Sequence, residues 1–250
     1  MAKRFAADGR PLALVSRSLE HLEAGRAEIL SAHEVEVACY SCDVRDVHAV
    51  RRTVTAIEER FGGVDIWVNN AAGNFVRPAE NLPEKAFATV TDIVLNGTFN
   101  ASRAVGRKMI ERRHGTILNI VATYAWTGGP GTVHSACAKA GVLAMTRTLA
   151  VEWARHGLRV VAIAPGAFDS SGAGDRLWPS DELRERVRAA IPNGRFATRE
   201  EVANAAAWLV SDAASYINGE CLTIDGGAWL GRGILGADEP IPTVKRKRRR

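Results

Sequence analysis

The sequence predicts a single doubly wound α/β domain, in which a parallel sheet is covered by helices on both faces. Short, almost continuously apolar runs alternate with longer helical patterns along the chain, as expected for strands buried on both faces and for their crossover helices. A length of 250 residues and an apolar content of 46% suit one large core. Right-handed crossovers would place the helices on both faces of the sheet.

The elements follow one another in a regular strand–helix order. Residues 1–7 are predicted to be the later half of a helix. The strands are predicted at residues 12–16, 35–42, 65–70, 115–122, 159–164 and 221–225. The helices between them are predicted at residues 18–32, 47–61, 84–113, 132–155 and 199–211. An irregular insert at residues 167–179, with two glycines and four serine or aspartate residues, is expected to move.

The net charge of +5 belongs to the C-terminus. Of the 33 basic residues, six form the run 245–250, which leaves 27 against 28 acidic residues, a net charge of −1. We therefore predict a domain over residues 1–236 and a disordered basic tail over 237–250, with no specific nucleic-acid partner. Nonspecific contact of the tail with nucleic acid or with a phosphate-bearing ligand is the alternative.

No apolar run reaches the eighteen residues of a membrane span, and no apolar segment follows the basic start. We expect no membrane partner and a cytoplasmic location. The four cysteines imply no disulfide framework. Cys39 and Cys42 have the spacing of a CxxC motif, but residues three apart on a strand point to opposite faces, so we predict no metal site.

Ligands of doubly wound sheets bind outside the carboxyl ends of the strands, so the residues there are the candidates for a site. Small residues after the third strand would let the backbone approach a flat ligand. The residues at the strand ends are Ser16, Arg17, Asp43, Val44, Asn70, Ala71, Ala72, Gly73, Tyr124, Pro165 and Gly166. Ser135 and Lys139 share one helix face, and Asn96 interrupts the long helical stretch before them.

These residues together resemble the short-chain dehydrogenase/reductase family over residues 4–227. The segment 70–73, Asn96, Lys139, the pair 165–166 and the segment 225–227 follow that family's order and spacing. The resemblance implies a Rossmann-like fold and a nicotinamide cofactor. The sequence departs from the family at two positions. Ser135 stands where the family has its tyrosine, and Ala122 where it has its serine.

The departure resembles the bacterial type of the 2,4-dienoyl-CoA reductase branch, whose tyrosine lies fifteen residues before the lysine, as Tyr124 does here. The branch implies NADPH-dependent reduction of a 2,4-dienoyl-CoA thioester in the β-oxidation of unsaturated fatty acids. It implies that Tyr124 and Asn96 bind the thioester oxygen, that Lys139 holds the nicotinamide ribose, and that Ser135 supports them. The alternatives are 2-enoyl-CoA reduction or another oxidoreductase activity of the family, and a noncatalytic nucleotide-fold protein.

Ser16 and Arg17 favour NADPH, because an arginine after this strand suits a 2′-phosphate where an acid would suit the ribose of NAD. A plain surface arginine is the alternative. By resemblance, Asp43 would bind the adenine amino group and Val44 would lie beside the ring. The family also implies a homotetramer, with helices 84–113 and 132–155 at its interfaces. Candidates for an acyl pocket are Phe75, Trp126, Phe168, Leu177 and Trp178.

His134 next to Ser135 could suggest a hydrolase. Adjacent residues of a helix diverge by about 100°, so the pair is badly placed for a nucleophile and its base. No GxSxG motif occurs in the sequence. We therefore exclude a serine hydrolase.

The family would open with a strand and a Thr-Gly-x-x-x-Gly-x-Gly loop that cradles the pyrophosphate, and neither occurs in the sequence. That strand would lie in the middle of the sheet, between strands 12–16 and 65–70. We expect the 250-residue chain to bind NADPH poorly. Two hypotheses follow: residue 1 is an internal start within a longer enzyme, or it is the start of a noncatalytic protein. The intact later motifs favour the first hypothesis.

Overall fold

The computed structural model describes residues 1–169 and 180–231, which form an α/β domain. The helices are α1 (Ala2–Ala7), α2 (Leu19–Leu30), α3 (Val47–Phe61), α4 (Glu84–Thr91), α5 (Gly97–Arg112), α6 (Tyr124–Thr127), α7 (Val133–Ala154), α8 (Asp181–Ala189) and α9 (Arg199–Leu209). The strands are β1 (Leu12–Ser16), β2 (Val37–Ser41), β3 (Ile66–Asn69), β4 (Gly115–Ile120), β5 (Leu158–Pro165) and β6 (Cys221–Ile224). The predicted α/β class with parallel strands is confirmed.

The strands lie in two parallel groups where the sequence predicted one sheet. Strand β1 pairs with β2, and the order in the second group is β3-β4-β5-β6. Between β1 and β3 lies a cavity of about 1040 Å³. Apolar side chains that line it include Phe5, Leu12, Leu14, Ile66 and Val68. The cavity lies where the family resemblance places one further strand.

The core forms on both faces of β4 and β5, which lie inside the larger group. Ile117 and Val160 pack with residues of α3, α5 and α7 on one face. Leu118 and Val161 pack with residues of α1 and α9 on the other. All four side chains are fully buried. Since neighbouring strand residues point to opposite faces, these continuous apolar runs bury both sides of the sheet.

The predicted helix 84–113 is interrupted. A π-helical turn, Asp92–Asn96, separates α4 from α5. At the start of α5, a Cβ atom on Gly97 would lie 2.5 Å from Val44 Cγ2, so only glycine fits there. π-Turns within helices are frequent at functional sites, and this turn ends at the candidate residue Asn96.

Two helices were not predicted. Strand β4 ends at Ile120, two residues before the predicted boundary, and the short helix α6 begins at Tyr124. Helix α8 is capped by the side chain of Ser180, with acidic residues in its first turn and basic residues in its last. Residues 170–179, most of the predicted insert, and the predicted tail 237–250 lie outside the described residues.

None of the helices in residues 1–169 and 180–231 combines the length and the apolar character that a bilayer crossing needs.

Candidate active site

The candidate residues gather at one edge of the sheet. Residues 70–73 follow β3, Tyr124 follows β4, and Pro165 and Gly166 lie at the end of β5. Because these strands run parallel, their carboxyl ends meet at the same edge. The short loops after the strands therefore bring residues from distant parts of the sequence into one site.

Tyr124 and Ser135 are in direct contact. Tyr124 Oη lies 3.0 Å from Ser135 Oγ, and Asn74 Nδ2 donates to Tyr124 Oη at 3.3 Å. Burial raises the pKa of Tyr124 above its usual value, while the hydrogen bond with Ser135 acts in the opposite direction. The phenol is therefore neutral at physiological pH and can donate its hydrogen.

Lys139 is a buried lysine one turn after Ser135 on α7, with 6% of its surface exposed. Its Nζ donates to the carbonyl oxygen of Ile120, the last residue of β4. Burial lowers its pKa from 10.5 to about 8. At neutral pH the amine is thus mostly protonated and places a positive charge beneath the site.

Asn96 lies at the exposed end of the π-turn. Its side-chain hydrogen bond goes to Asp92, with 2.8 Å between Asn96 Nδ2 and Asp92 Oδ1, and not to Tyr124. An amide nitrogen carries two hydrogens, so one remains for another acceptor. The structure thus brings Tyr124, Ser135 and Asn74 together, while Asn96 is held separately by Asp92.

The candidates for the adenosine end lie after β1 and β2. Arg17 is exposed, and the backbone nitrogen of Ser18 donates a hydrogen bond to Ser16 Oγ at 3.4 Å. The Asp43 carboxylate binds the Arg45 guanidinium, which lowers the pKa of Asp43 to about 2, with a smaller contribution from Arg17. The Asp43 carboxylate therefore stays ionised, and the carboxylate oxygens can accept a further hydrogen bond.

Val44 is fixed against α5. Its side chain meets Gly97, and its carbonyl oxygen accepts a hydrogen bond from Asn100 Nδ2 at 3.0 Å. This contact places the loop after β2 at the same edge as the π-turn. An apolar side chain held in this way can form one wall for a flat ring.

Gly166 lies against the end of β6, where a Cβ atom would approach Asp225 Cβ to 2.5 Å. The Asp225 carboxylate accepts hydrogen bonds from the backbone nitrogens of Gly227 at 3.0 Å and Trp229 at 2.8 Å. The loops after β5 and β6 are therefore locked together. Only a residue without a side chain fits at the turn after Pro165.

These residues fit the two ends of a nicotinamide dinucleotide. Arg17 offers an exposed cation that suits a phosphate, Lys139 offers a buried amine that suits ribose hydroxyls, and residues 71–73 carry side chains small enough for a flat ring to approach. A glycine loop for the pyrophosphate does not occur among the described residues. The fit thus holds for the adenosine and nicotinamide ends.

A buried polar network behind the site was not predicted. Asn69 Nδ2 donates to Ser102 Oγ at 2.9 Å and to Asn119 Oδ1 at 2.8 Å, and Asn119 Nδ2 donates to Thr146 Oγ1 at 2.9 Å. The sequence did carry a signal for this network, because asparagine side chains within the apolar strands 65–70 and 115–122 need hydrogen-bond partners when they are buried. The network ties the ends of β3 and β4 to α5 and α7.

Asn74 was also missed as a site residue, although it lies within the motif that carries the resemblance. It follows the small residues 70–73, and its side chain reaches the Tyr124 hydroxyl. The sequence alone gave no distance between these two residues, which are 50 positions apart. Only the fold brings the loop after β3 beside the loop after β4.

The aromatic candidates have different surroundings. Phe75 stacks on His134, with ring centroids 4.3 Å apart, and Trp126 meets Trp229 edge-on at 5.8 Å. Phe168 packs beside the core of α1 and α9. Leu177 and Trp178 lie outside the described residues.

His134 makes no hydrogen bond with the Ser135 hydroxyl. Its ring is fully buried, neither ring nitrogen makes a hydrogen bond of normal geometry, and burial lowers its pKa. The partner of Ser135 Oγ is instead the phenol of Tyr124. The side chains are thus not arranged as the nucleophile and base of a hydrolase.

Comparison with known proteins gives consistent matches along the chain. A family model described as "Enoyl-(Acyl carrier protein) reductase" matches residues 1–228. The Bacillus subtilis protein "Probable 2,4-dienoyl-CoA reductase [(2E)-enoyl-CoA-producing]" is 47% identical over 232 residues, which are 92% of this chain and 91% of that protein. The Rattus norvegicus "Peroxisomal 2,4-dienoyl-CoA reductase [(3E)-enoyl-CoA-producing]" is 38% identical over 230 residues, 92% of this chain and 79% of that protein.

A similar solved structure is that of a short chain dehydrogenase from Bacillus anthracis. The two sequences are 45% identical, and the match covers 93% of this chain and 91% of the Bacillus anthracis chain. The two structures superpose with a TM-score of 0.84.

Proposed function

The chain belongs to the short-chain dehydrogenase/reductase family of nicotinamide-dependent oxidoreductases, and from this premise we propose that it reduces 2,4-dienoyl-CoA to enoyl-CoA with NADPH. The reaction would serve the β-oxidation of unsaturated fatty acids. The observation that carries the proposal is the 3.0 Å contact of Tyr124 Oη with Ser135 Oγ, one helical turn before Lys139. The phenol reaches the site from the end of β4, while a serine occupies the helix position. The names of the similar reductases support the same substrate class.

The proposed chemistry depends on stabilising negative charge at the thioester oxygen. A nicotinamide cofactor, when bound, would supply a hydride for the far end of the conjugated diene. Charge then develops on the thioester oxygen, where preformed hydrogen-bond donors are most effective. Tyr124 donates its phenol hydrogen to this oxygen, and the second amide hydrogen of Asn96 serves as the other donor. A carbon of the resulting dienolate later takes its proton from water or through Tyr124.

Lys139 supports this site in two ways under the proposal. Its amine is fixed by the Ile120 carbonyl and holds ribose hydroxyls of the cofactor. Its positive charge, buried beneath the site, also stabilises the negative charge of the transition state. Ser135 holds the phenol of Tyr124 in place through their hydrogen bond.

The choice of NADPH is supported by Arg17. Its exposed guanidinium follows β1, where no acidic residue competes for the ribose hydroxyl. Asp43, in its ionised form, would accept a hydrogen bond from the adenine amino group beside Val44. An arginine at this place binds a 2′-phosphate through charge-assisted hydrogen bonds.

The assembly is proposed to be a homotetramer that contacts itself through α5 and α7. Exposed large apolar side chains on these helices include Phe99 at 47% and Val151 at 81% of their surface. Exposed apolar side chains on neighbouring helices favour burial against another subunit. A cytoplasmic location remains a prediction from the sequence.

Because the 250-residue chain is expected to bind NADPH poorly, the test compares NADPH oxidation at saturating NADPH with 2,4-hexadienoyl-CoA, 2-hexenoyl-CoA and a simple ketone. We expect the dienoyl thioester to be preferred, and Tyr124→Phe to lower kcat by about 10²–10³, the usual effect of losing an oxyanion donor. Tyr216→Phe is the matched control, because Tyr216 is fully exposed away from the site. A preference for the ketone would overturn the proposal.

A second candidate is reduction of a 2-enoyl thioester, which the description of the matching family model favours. The same donors would stabilise the same oxygen, so the two substrates are separated by their relative kcat/KM. No turnover above background with any substrate, in the parent and in Tyr124→Phe alike, would instead indicate a noncatalytic nucleotide-fold protein.

A further inference from the structure

We propose that Trp229 is a positioning residue that holds helix α6, and with it Tyr124, in the orientation that the site needs. Trp229 follows β6, and its indole ring meets that of Trp126 in α6 edge-on, with the ring centroids 5.8 Å apart. In the strand order, β5 lies between β4, which precedes α6, and β6. The contact therefore joins the ends of two strands that are not neighbours. Its consequence for catalysis rests on the proposed function, whereas the contact itself does not.

Helix α6 depends on contacts with other parts of the fold. It spans only Tyr124–Thr127, a single turn, and a helix of this length is not stable by itself. The side chain of Thr123, at its start, makes no capping hydrogen bond. The orientation of α6 is therefore set by what its side chains contact.

The two aromatic residues of α6 face opposite directions. Consecutive residues of a helix are about 100° apart, so Tyr124 and Trp126 lie about 200° apart around the axis. The hydroxyl of Tyr124 lies 3.0 Å from Ser135 Oγ on α7, and Trp126 contacts Trp229. Helix α6 is thus held between α7 on one side and the turn after β6 on the other. A rotation that moved the phenol away from Ser135 would also separate the two indole rings.

Trp229 can support α6 because its own backbone is firmly held. Its backbone nitrogen donates to Asp225 Oδ2 at 2.8 Å, and the backbone nitrogen of Gly227 donates to Oδ1 of the same carboxylate at 3.0 Å. Asp225 is buried and packs against Gly166 at the end of β5. The turn that carries Trp229 is therefore anchored to the sheet, and Trp229 extends this support to α6.

The aromatic pair lies at the surface of the domain, since 36% of the surface of Trp126 is exposed. Its loss should therefore release α6 without unfolding the protein. The contribution of one edge-to-face aromatic pair corresponds to a change of about two- to tenfold in an equilibrium constant. This range sets the size of the effects expected below.

The first experiment needs no substrate and follows hydrogen–deuterium exchange of the amides that bond within α6, those of Trp126, Thr127 and Gly128. Trp229→Ala removes the ring, and Trp229→Phe keeps a ring that can meet Trp126 edge-on. We expect exchange about two- to tenfold faster in Trp229→Ala and close to the parent rate in Trp229→Phe. Trp208→Ala, at an exposed tryptophan on α9, is the matched control and should leave α6 unchanged. Equal exchange of α6 in the parent and in Trp229→Ala would overturn the proposal.

The second experiment measures turnover of 2,4-hexadienoyl-CoA at saturating NADPH. We expect kcat to fall about two- to tenfold in Trp229→Ala with little change in KM for the thioester, and most of kcat to be retained in Trp229→Phe. Trp208→Ala should leave both constants unchanged. A change confined to KM would make Trp229 a wall of the substrate pocket and would overturn the positioning role.

A double-mutant cycle tests whether Trp229 acts through Trp126. In a Trp126→Ala background, Trp229→Ala should change kcat by less than about twofold. Equal factors in both backgrounds would overturn the proposal. If Tyr124→Phe alone were as fast as the parent, the proposed function would fail, and the exchange of α6 would still decide whether Trp229 holds this helix. Trp229→Leu takes the place of Trp229→Ala if the latter does not fold.

Discussion

Replacing Lys139 by methionine should remove a pH dependence of stability that arises from burial of the amine. The pKa of Lys139 is lowered from 10.5 in the unfolded chain to about 8 in the folded protein. Between these values the unfolded chain binds more protons than the folded one. The charged amine therefore destabilises the fold fully below about pH 8, and this destabilisation fades as the pH rises toward 10.5.

The size of the effect follows from the two pKa values. Moving from pH 7 to pH 9.5 should increase the free energy of unfolding of the parent, relative to Lys139→Met, by about 2 kcal/mol. Methionine also leaves the carbonyl oxygen of Ile120 without its donor. That loss does not depend on pH, so it cancels when the two pH values are compared.

The assay is urea unfolding followed by tryptophan fluorescence at both pH values. Burial raises the pKa of Cys221 to about 12, which lowers stability as the pH rises past 9. Both proteins carry this cysteine, so its contribution disappears in the difference. Lys85→Met, at an exposed position on α4, is the matched control and should show no such change. The reasoning would be refuted if the parent and Lys139→Met differed in free energy of unfolding by the same amount at both pH values.

Three further changes test the cofactor choice, the packing and the assembly. Arg17→Ala should lower the preference for NADPH over NADH by about 10- to 100-fold in kcat/KM, and an unchanged ratio would contradict the role of Arg17. Gly166→Ala should destabilise the protein by about 1–3 kcal/mol in urea unfolding, because the new Cβ atom would meet Asp225. Gly25→Ala is the control for this change, because a Cβ atom added at Gly25 would have no atom within 4 Å. It should leave stability unchanged or increase it. Val151→Glu should shift the mass measured by light scattering from tetramer to smaller species, and an unchanged tetramer would exclude this face as an interface.

The sequence was most informative where local signals and burial agree. Helix α3 has the predicted bounds, because Asp46 caps its start and Gly62, with a φ of 75°, ends it. Strand β1 likewise has the predicted bounds. The order of strands and helices, and the position of the site at the strand ends, followed from the same patterns.

Features that depend on contacts across the fold could not be predicted. The π-turn before Gly97 arises where α5 packs on Val44, a contact between residues more than fifty positions apart. The contact between Asn74 and Tyr124 depends in the same way on the pairing of β3 with β4. Helix α8 was missed for a different reason, since its few apolar residues give a weak helical pattern despite the cap at Ser180.

The cavity between β1 and β3 should set how the protein exchanges its amide hydrogens. Each of these strands is paired on one side only, so the amides that face the cavity have no strand partner. Contacts between helices, such as that of Arg4 Nε with Asn204 Oδ1 at 2.9 Å, connect β1 and β2 to the larger group across the gap. In deuterated water, β1 should therefore take up label through local opening, while β4 and β5, paired on both sides, should keep their hydrogens until the whole domain unfolds.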